Sequence, residues 1–444
     1  MTALSLGRIW PRTRARTGGQ PIEYNLLLTA TLCLLAFGVV MVFSASSTTA
    51  LLGQSGDSAY YLKRTLVIGA VGLVLMRVLS VRGARIARPL TGFLLLASFV
   101  LLLAVMLPGI GSSANGAQRW IAAGPFQIQP SELAKLALVL YGANLLATRP
   151  QISRSIRTLV PYLAVVGVGC LLMMAEPDLG TAIVVCLSTA ALLVAAGMKM
   201  RQLLLLAAAV GAVVLLAILI EPYRMQRLTG FLDPTGDPSG AGFQAIQAKI
   251  AMGSGGIFGV GLGQSLQKAF YLPEAHTDMI AAVIGEELGF VGLAALLGLL
   301  GLFGYAGLRT AQRARDRYAK LLAAGLTSMV VIQAIVNLFA VLGLAPLTGV
   351  PLPFVSYGNS SLLMMLASTG LLLNIAKGGT AAAPARRRVG AARLRVVDGG
   401  RGARGGASAA RGRSASRSGK GRDSRGGNRG TRRSSAGRRR RAAR

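Results

Sequence analysis

The 444-residue chain is predicted to be all-α, a polytopic integral membrane protein with ten transmembrane helices. Three observations predict this class. Hydrophobic residues make up 53% of the chain and charged residues 14%, against about 25% charged in a typical soluble domain. Mean hydropathy is +0.56. The apolar residues gather in runs long enough to cross the hydrocarbon core of a bilayer. The basic residues between those runs fall mostly on one side, as they do in membrane proteins. This composition argues against a soluble enzyme, a secreted disulfide scaffold and a simple nucleic-acid-binding domain.

In chain order the spans fall near 24–44, 65–81, 89–108, 131–148, 157–175, 179–197, 202–220, 279–308, 318–345 and 359–376. The first begins well inside the chain and lacks a small-residue cleavage pattern, so it is read as a span and not as a signal peptide. The second and fourth are short or interrupted. The eighth and ninth exceed the bilayer and are expected to tilt or to extend past the lipid. With the N-terminus inside, the inner segments collect 19 basic residues, among them Arg8, Arg12, Arg82, Arg88, Arg313 and Lys377. The outer segments receive 7: Lys63, Arg64, Arg119, Arg224, Arg227, Lys249 and Lys268. Both termini are therefore expected in the cytoplasm, which an even number of spans satisfies.

Three regions follow. Residues 1–21 form a basic cytoplasmic segment, 22–377 the ten-helix membrane domain, and 378–444 a basic cytoplasmic tail. The tail holds 21 Lys+Arg against 2 Asp+Glu, with much Gly, Ser and Ala. It buries too little apolar area to offset the entropy of ordering and is expected to be disordered. Its charge suits anionic lipid headgroups or an acidic cytoplasmic partner. No nucleic-acid module precedes it, so nucleic acid is not the expected ligand. Cys33, Cys170 and Cys186 lie inside apolar runs and are expected to be core residues without a structural disulfide.

Polar chemistry concentrates on the expected outer face. The stretch Tyr271–Phe290, "YLPEAHTDMIAAVIGEELGF", holds Glu274, His276, Asp278, Glu286 and Glu287, five of a chain otherwise poor in such groups. Asp278 stands where an outer loop becomes the eighth span, a position the helix field favours for an anion, and Thr277 is placed to cap that helix. His276 is the only histidine, which excludes a two-histidine metal motif. A carboxylate inside a membrane helix costs about 2.5–3.5 kcal/mol unless paired or solvated, so at least one of Glu286 and Glu287 is expected to face the bundle interior. The Gly-rich Ala248–Ser265, in the long outer loop of about 221–278, lacks a Walker ending. It is read as a re-entrant or surface-hugging segment with N–H groups free for an anion, and Lys249 as a phosphate partner.

Further stations are "QPSELAK" (Gln129–Lys135) and "EPDLGT" (Glu176–Thr181). In the first, Ser131 is placed to cap a helix and Glu132 to pair with Lys135 at i,i+3. Arg119, Glu132, Lys135, Glu176 and Asp178 then form a charged constellation, which suits structural ion pairs, a polar headgroup site or a transport path. Leu344–Ser361, "LAPLTGVPLPFVSYGNSS", carries three prolines and is expected to be non-helical backbone buried in protein or lining a cavity. Its Ser356, Tyr357, Asn359, Ser360 and Ser361 offer hydrogen bonds to a sugar or phosphate.

These motifs in this order, with "NGAQRWI", "LPEAHTDMIAAVIGEELG" and "PLPFVSYGNSS", resemble the SEDS family of bacterial shape, elongation, division and sporulation proteins over about residues 22–377. The run "LPEAHTD" followed by "GEELG" is more similar to division than to elongation members, and the basic tail looks like that of actinobacterial division proteins. Met279 stands where the family often has Phe, and Asn359 where it often has Gly. The resemblance implies the SEDS fold and a peptidoglycan glycosyltransferase. It would polymerise lipid II, a disaccharide-pentapeptide on undecaprenyl pyrophosphate, on the outer face of the bacterial cytoplasmic membrane, at the division septum. It implies an inverting transfer with Asp278 as catalytic base. Arg119, Lys249 or a divalent cation (Mg2+ or Mn2+) would balance the pyrophosphate. Glu132, Lys135, Glu176, Asp178, Glu274, His276, Thr277, Glu286, Ser356 and Ser360 are the supporting or substrate-binding candidates. No organic cofactor is expected. Expected partners are a class B penicillin-binding transpeptidase and other divisome membrane proteins. The alternatives are a lipid II flippase, a non-enzymatic scaffold for a transpeptidase, and an elongation-type polymerase.

Overall fold

The structure, a computed structural model, describes residues 20–378 apart from 53–55, 110, 115–116, 124–125, 152–155, 237–239, 241 and 270. The expectations for the basic N-terminal segment (1–21) and the tail (378–444) fall, but for residues 20, 21 and 378, outside the described residues. Eleven helices and one small sheet follow in the order α1 (Ile22–Leu52), α2 (Tyr60–Val105), β1 (Gly111–Ala114), β2 (Ala117–Ala123), β3 (Phe126–Ile128), α3 (Pro130–Thr148), α4 (Ile156–Ala175), α5 (Leu179–Ala195), α6 (Met200–Ile220), α7 (Pro222–Leu232), α8 (Phe243–Ser254), α9 (Ile280–Arg313), α10 (Arg317–Val341) and α11 (Asn359–Ala376).

Each of the ten expected spans coincides with a helical segment. Among the described residues eight segments are long and apolar enough to cross a membrane, including two within α2, Tyr60–Gly83 and Arg85–Val105. The other two are α5, with 17 residues, and α3, whose apolarity is diluted by Glu132 and Lys135. Among the described residues the regular structure is helical except for one antiparallel three-stranded sheet in order β1-β2-β3. Its strands lie between the third and fourth expected spans, in an outer loop for which the sequence carried no strand expectation. Gly111 pairs with Ile121 and Ile121 with Ile128, so Trp120 and Ile121 are held in a meander.

Contacts sort the helix ends onto two opposite faces. On one face Arg313 at the end of α9 meets Glu23 at the start of α1 at 2.5 Å. There too Arg88 in mid-α2 bonds Asn144 near the end of α3 and covers the Tyr318 ring at the start of α10, and Lys377 covers Tyr24. On the other face Tyr61, at the start of α2, meets His276 and Tyr357, while the far end of α2 leads into the sheet. Both ends of α2 therefore reach the second face, and the chain reverses within it, in the basic stretch Arg82–Arg88. A straight helix of 46 residues would be about 69 Å long at 1.5 Å per residue, with its ends on opposite faces.

The segment between α10 and α11 enters the bundle. Leu352, Phe354 and Val355 are buried, and Phe354 packs on Phe303 of α9. It passes so close to α1 that a Cβ at Gly38 would collide with the Phe354 carbonyl and Val355; only glycine admits this approach. Non-helical backbone at membrane depth is thereby enclosed in protein, as the prolines required. α6 is the opposite case, with no buried residue at all. Cys170 and Cys186 touch across α4 and α5, with sulfurs 3.7 Å apart. Cys33, read from its apolar run as a core residue, is exposed on the outside of α1.

Candidate active site

Asp278 lies in the turn that leads into α9. The helix begins at Ile280 after Met279, without a side-chain cap. Thr277, expected to cap it, turns instead to the two flanking carboxylates. Its hydroxyl contacts Glu274 Oε2 at 2.8 Å and Asp278 Oδ1 at 3.2 Å. The Thr277 and Met279 amides both donate to the Glu274 carbonyl, and this tight turn holds Glu274 at φ +57°, a conformation that costs a non-glycine residue about 1–3 kcal/mol. Asn337 of α10 anchors the turn from below by donating to the Asp278 carbonyl at 2.7 Å.

The environment adjusts the Asp278 carboxyl. Burial raises its pKa to about 6, and the Glu274 charge adds to the rise. Arg227 and the Thr277 hydroxyl oppose it. His276, two residues earlier, sits among rings, 4.4 Å from Tyr61 and 5.7 Å from Tyr357 between centroids. Burial lowers its pKa, and Glu274 opposes that. The Tyr357 amide donates to the His276 carbonyl, tying this turn to the segment before α11.

Arg227 connects Asp278 to a cavity. A Cβ built on Gly349 would lie 3.8 Å from Asp278 Oδ2 and 3.9 Å from Arg227 Nη1, so the two charged groups face the same spot. Arg227 is held there by donating to the Leu347 carbonyl at 2.9 Å. With Lys249 of α8 it lines a cavity of about 670 Å³ between α7, α8 and the end of α10. The Lys249 side chain lies against Gly343. In the sequence Arg227 is only one of the outer-loop charges. No motif marks it, and it reaches Asp278 because α7 folds back over Leu347.

The expected charged constellation divides into separate structural ties. Glu132 and Lys135 pair at 2.8 Å, both 1% exposed, as the i,i+3 spacing predicted. Lys135 also donates to Gln333 Oε1 at 2.6 Å, and Gln333 donates to the Pro351 carbonyl. Arg119 donates to the carbonyls of Glu176 and Pro177, not to a carboxylate. Asp178 caps α5 through the Thr181 amide and accepts from Gln129 and Ser131. Ser131, expected to cap α3, is drawn away to Asp178, and α3 starts at Pro130 without a side-chain cap. Glu176 is buried with neither oxygen bonded, and burial with the neighbouring Asp178 raises its pKa to about 8. Ser360 accepts from the Gln129 amide and contacts the Gln127 carbonyl. Ser356 accepts from the Leu352 amide, so both serines fasten loops.

Both Glu286 and Glu287 face the interior. Glu286 accepts from Ser265 and from the amides of Leu266 and Gln267. Glu287 pairs with buried Lys268 at 2.7 Å and accepts from Ser44 of α1. Three N–H groups of the Gly-rich segment, expected to be free for an anion, are already bonded. The amides of Gly259, Val260 and Gly261 are taken by the carbonyls of Gly255, Glu286 and Glu287.

The family model described as a cell cycle protein, FtsW/RodA/SpoVE, matches residues 24–380. The chain belongs to this family. It is 42% identical over 362 residues to the "Probable peptidoglycan glycosyltransferase FtsW" of Trichlorobacter lovleyi, covering 80% of this chain and 94% of that one. It is 40% identical to the stage V sporulation protein E of Bacillus subtilis, covering 79% and 95%. Among solved structures it superposes with a TM-score of 0.65 and 34% identity on a chain described under "Structural coordination of polymerization and crosslinking by a peptidoglycan synthase complex", covering 79% and 96%. The rod shape determining protein RodA of Thermus thermophilus follows with a TM-score of 0.58 and 31% identity, covering 79% and 95%.

In this member of the FtsW/RodA/SpoVE family the site thus has two layers. Arg227 and Lys249 line the cavity, with Asp278 and Glu274 beside Arg227. Lys135, Gln333, Asn337, Lys268 and Ser44 lie behind them and hold the loops in place. Four of the second layer were invisible as site residues in the sequence. Gln333 and Asn337 carried one usable signal: two amides one helical turn apart in an apolar span, which must find partners inside the bundle.

Proposed function

We propose that this multi-pass membrane protein is a peptidoglycan glycosyltransferase that polymerises lipid II, and that Asp278 is its general base. The observation that carries the reading is the shared position of Asp278 and Arg227 beside Gly349, with Arg227 in turn lining a cavity together with Lys249. That is a base next to an anion site, which an inverting transfer from a lipid pyrophosphate needs. The cavity volume falls in the range of about 300–1,000 Å³ typical of ligand sites. The family membership and the relatives' names support the same activity.

Asp278 takes the proton of the acceptor sugar hydroxyl as that oxygen bonds the anomeric carbon of the donor. The bond from that carbon to the pyrophosphate breaks, and inversion follows from attack opposite the leaving group. Arg227 and Lys249 balance the charge that grows on the departing pyrophosphate. A carboxyl with a pKa of about 6 is mostly ionised at neutral pH yet more basic than an ordinary aspartate, which suits this task. Among the described residues no three His, Cys, Asp or Glu side chains gather as a metal cage. A Mg2+ or Mn2+ ion needs no such cage, since one or two carboxylates and the substrate's phosphates commonly hold it; no step above is routed through it.

The face with Asp278 is assigned to the outside and both termini to the cytoplasm, following the loop charges. We assign the protein to the septum, with a class B penicillin-binding transpeptidase and other division proteins as partners. The basic tail is assigned to anionic lipid or a cytoplasmic division protein.

The test is glycan-chain formation from purified lipid II, with the transpeptidase present and its cross-linking inhibited. Wild type is expected to form polymer, Asp278→Asn none, and Arg227→Gln far less than wild type. Polymer from Asp278→Asn at the wild-type rate would remove Asp278 as the base. No polymer from any of them, with intact protein and active partner, would point to a flippase or scaffold.

A further inference from the structure

The Gly-rich segment after α8 exposes large apolar side chains although its backbone is rigidly fastened. Phe258 is 81% exposed, Leu266 75%, Ile257 63% and Leu262 54%. Four large apolar side chains so exposed within ten residues form a patch that water disfavours and that marks an interaction surface. The segment is pinned to α9 by two kinds of bond. The Val260 and Gly261 amides donate to the carbonyls of Glu286 and Glu287, and the Phe290 and Val291 amides donate back to Gly256 and Ile257. The side chains of Glu286 and Glu287 then hold the following turn through Ser265, Leu266 and Lys268.

This pairing requires α9 to break. Gly289 has φ +63° and ψ −159° inside the helix, which releases the Phe290 and Val291 amides for the segment. A Cβ at Gly259 would collide with the Glu287 carbonyl. The amides of Val260, Gly261, Phe290 and Val291 are thus satisfied across the two segments, which lowers the cost of bringing this non-helical backbone to the polar boundary of the bilayer. The apolar surface is also continuous with a spanning helix, because Phe290 and Val291, bonded to this segment, are themselves 67% and 50% exposed on α9.

We propose that residues 256–266 are a re-entrant wedge whose apolar side chains insert into the headgroup and acyl boundary of the bilayer, beside α9. The occupant of this surface is lipid. Lys249 stands on α8 just before the wedge and Asp278 follows it by a dozen residues, so the wedge fixes the height of the cationic cavity and the base relative to lipid phosphates. The inference about insertion stands without the glycosyltransferase reading; only this consequence rests on it.

The experiment uses the full chain reconstituted alone in vesicles, with Cys33→Ser, Cys170→Ala and Cys186→Ala, and an environment-sensitive fluorophore on Phe258→Cys or Leu262→Cys. Thr235→Cys, in an exposed polar turn, serves as the water-side reference. Insertion predicts blue-shifted emission, quenching by nitroxide-labelled acyl chains and loss of quenching by iodide at 258 and 262, with the reverse at 235. Iodide quenching at 258 and 262 without nitroxide quenching would overturn the proposal. So would protection from both quenchers, which would mean that protein, not lipid, covers the segment. Lipid II polymerisation, measured on the same vesicles, tests the catalytic reading separately and does not bear on insertion.

Discussion

Asn337 uses one side-chain nitrogen to hold both the Asp278 carbonyl at 2.7 Å and the Val350 carbonyl at 2.8 Å. One residue of α10 thereby sets the distance between the turn that carries the base and the irregular segment that carries Gly349. One turn earlier Gln333 donates its side-chain N–H to the Pro351 carbonyl and accepts at Oε1 from Lys135. The four-residue spacing places both amides on one face of α10, and that face is the floor of the site.

Asn337→Leu is expected to lower the turnover of lipid II by about 100-fold, the usual effect of misplacing a reacting group by about 1 Å. Asp278 keeps its chemistry in this variant, so the pH of half-maximal rate should stay near the wild-type value while the rate falls. A wild-type rate in correctly inserted protein would show that the Asn337 bonds do not position the base.

The rate should fall as pH drops through about 6, because the base must be ionised and its pKa lies there. Glu274→Gln removes a charge that raises this pKa, so the acid limb should move to lower pH. Arg227→Gln removes a charge that lowers it, so the limb should move to higher pH. Opposite displacements of the two pH–rate profiles are the readout. Displacement in the same direction would mean that the acid limb belongs to another group.

Lys135→Met leaves Glu132 buried without its cation. Breaking one side of a buried pair costs about 3–5 kcal/mol, and the effect should appear in chemical unfolding of the purified protein. Adding Glu132→Gln to Lys135→Met should recover part of that loss. If Lys135→Met unfolds like wild type yet polymerises poorly, Lys135 acts on substrate and not on the fold.

Glu176 has no bonded partner, and its folded pKa of about 8 lies above the ordinary 4.5. Between those values the unfolded chain releases a proton that the folded protein keeps, so stability declines as pH rises across the window and levels off above about 8. Glu176→Gln stays neutral throughout. Thermal unfolding in detergent should show a smaller decline over that window for Glu176→Gln than for wild type; identical slopes would remove Glu176 as the titrating group.

Much was legible in the sequence for a physical reason. A bilayer demands long apolar runs, so the ten spans could be counted, and membrane helices do not admit stray charges, so Glu132–Lys135, Glu286 and Glu287 stood out as residues needing partners. The prolines of Leu344–Ser361 ruled out a regular helix and required enclosure by protein. Asp278 was marked by its motif. The partners themselves were not legible. Lys268 and Arg227 read alike as loop cations, and only folding made one a buried counter-ion of Glu287 and the other a neighbour of Asp278. Thr277 and Ser131 had the right type and place for helix caps, but stronger acceptors nearby claimed their hydroxyls. Local spacing fixes which groups are costly to leave alone. Which distant group answers each one depends on how α7, α10 and the segment before α11 pack together, and that is decided in three dimensions.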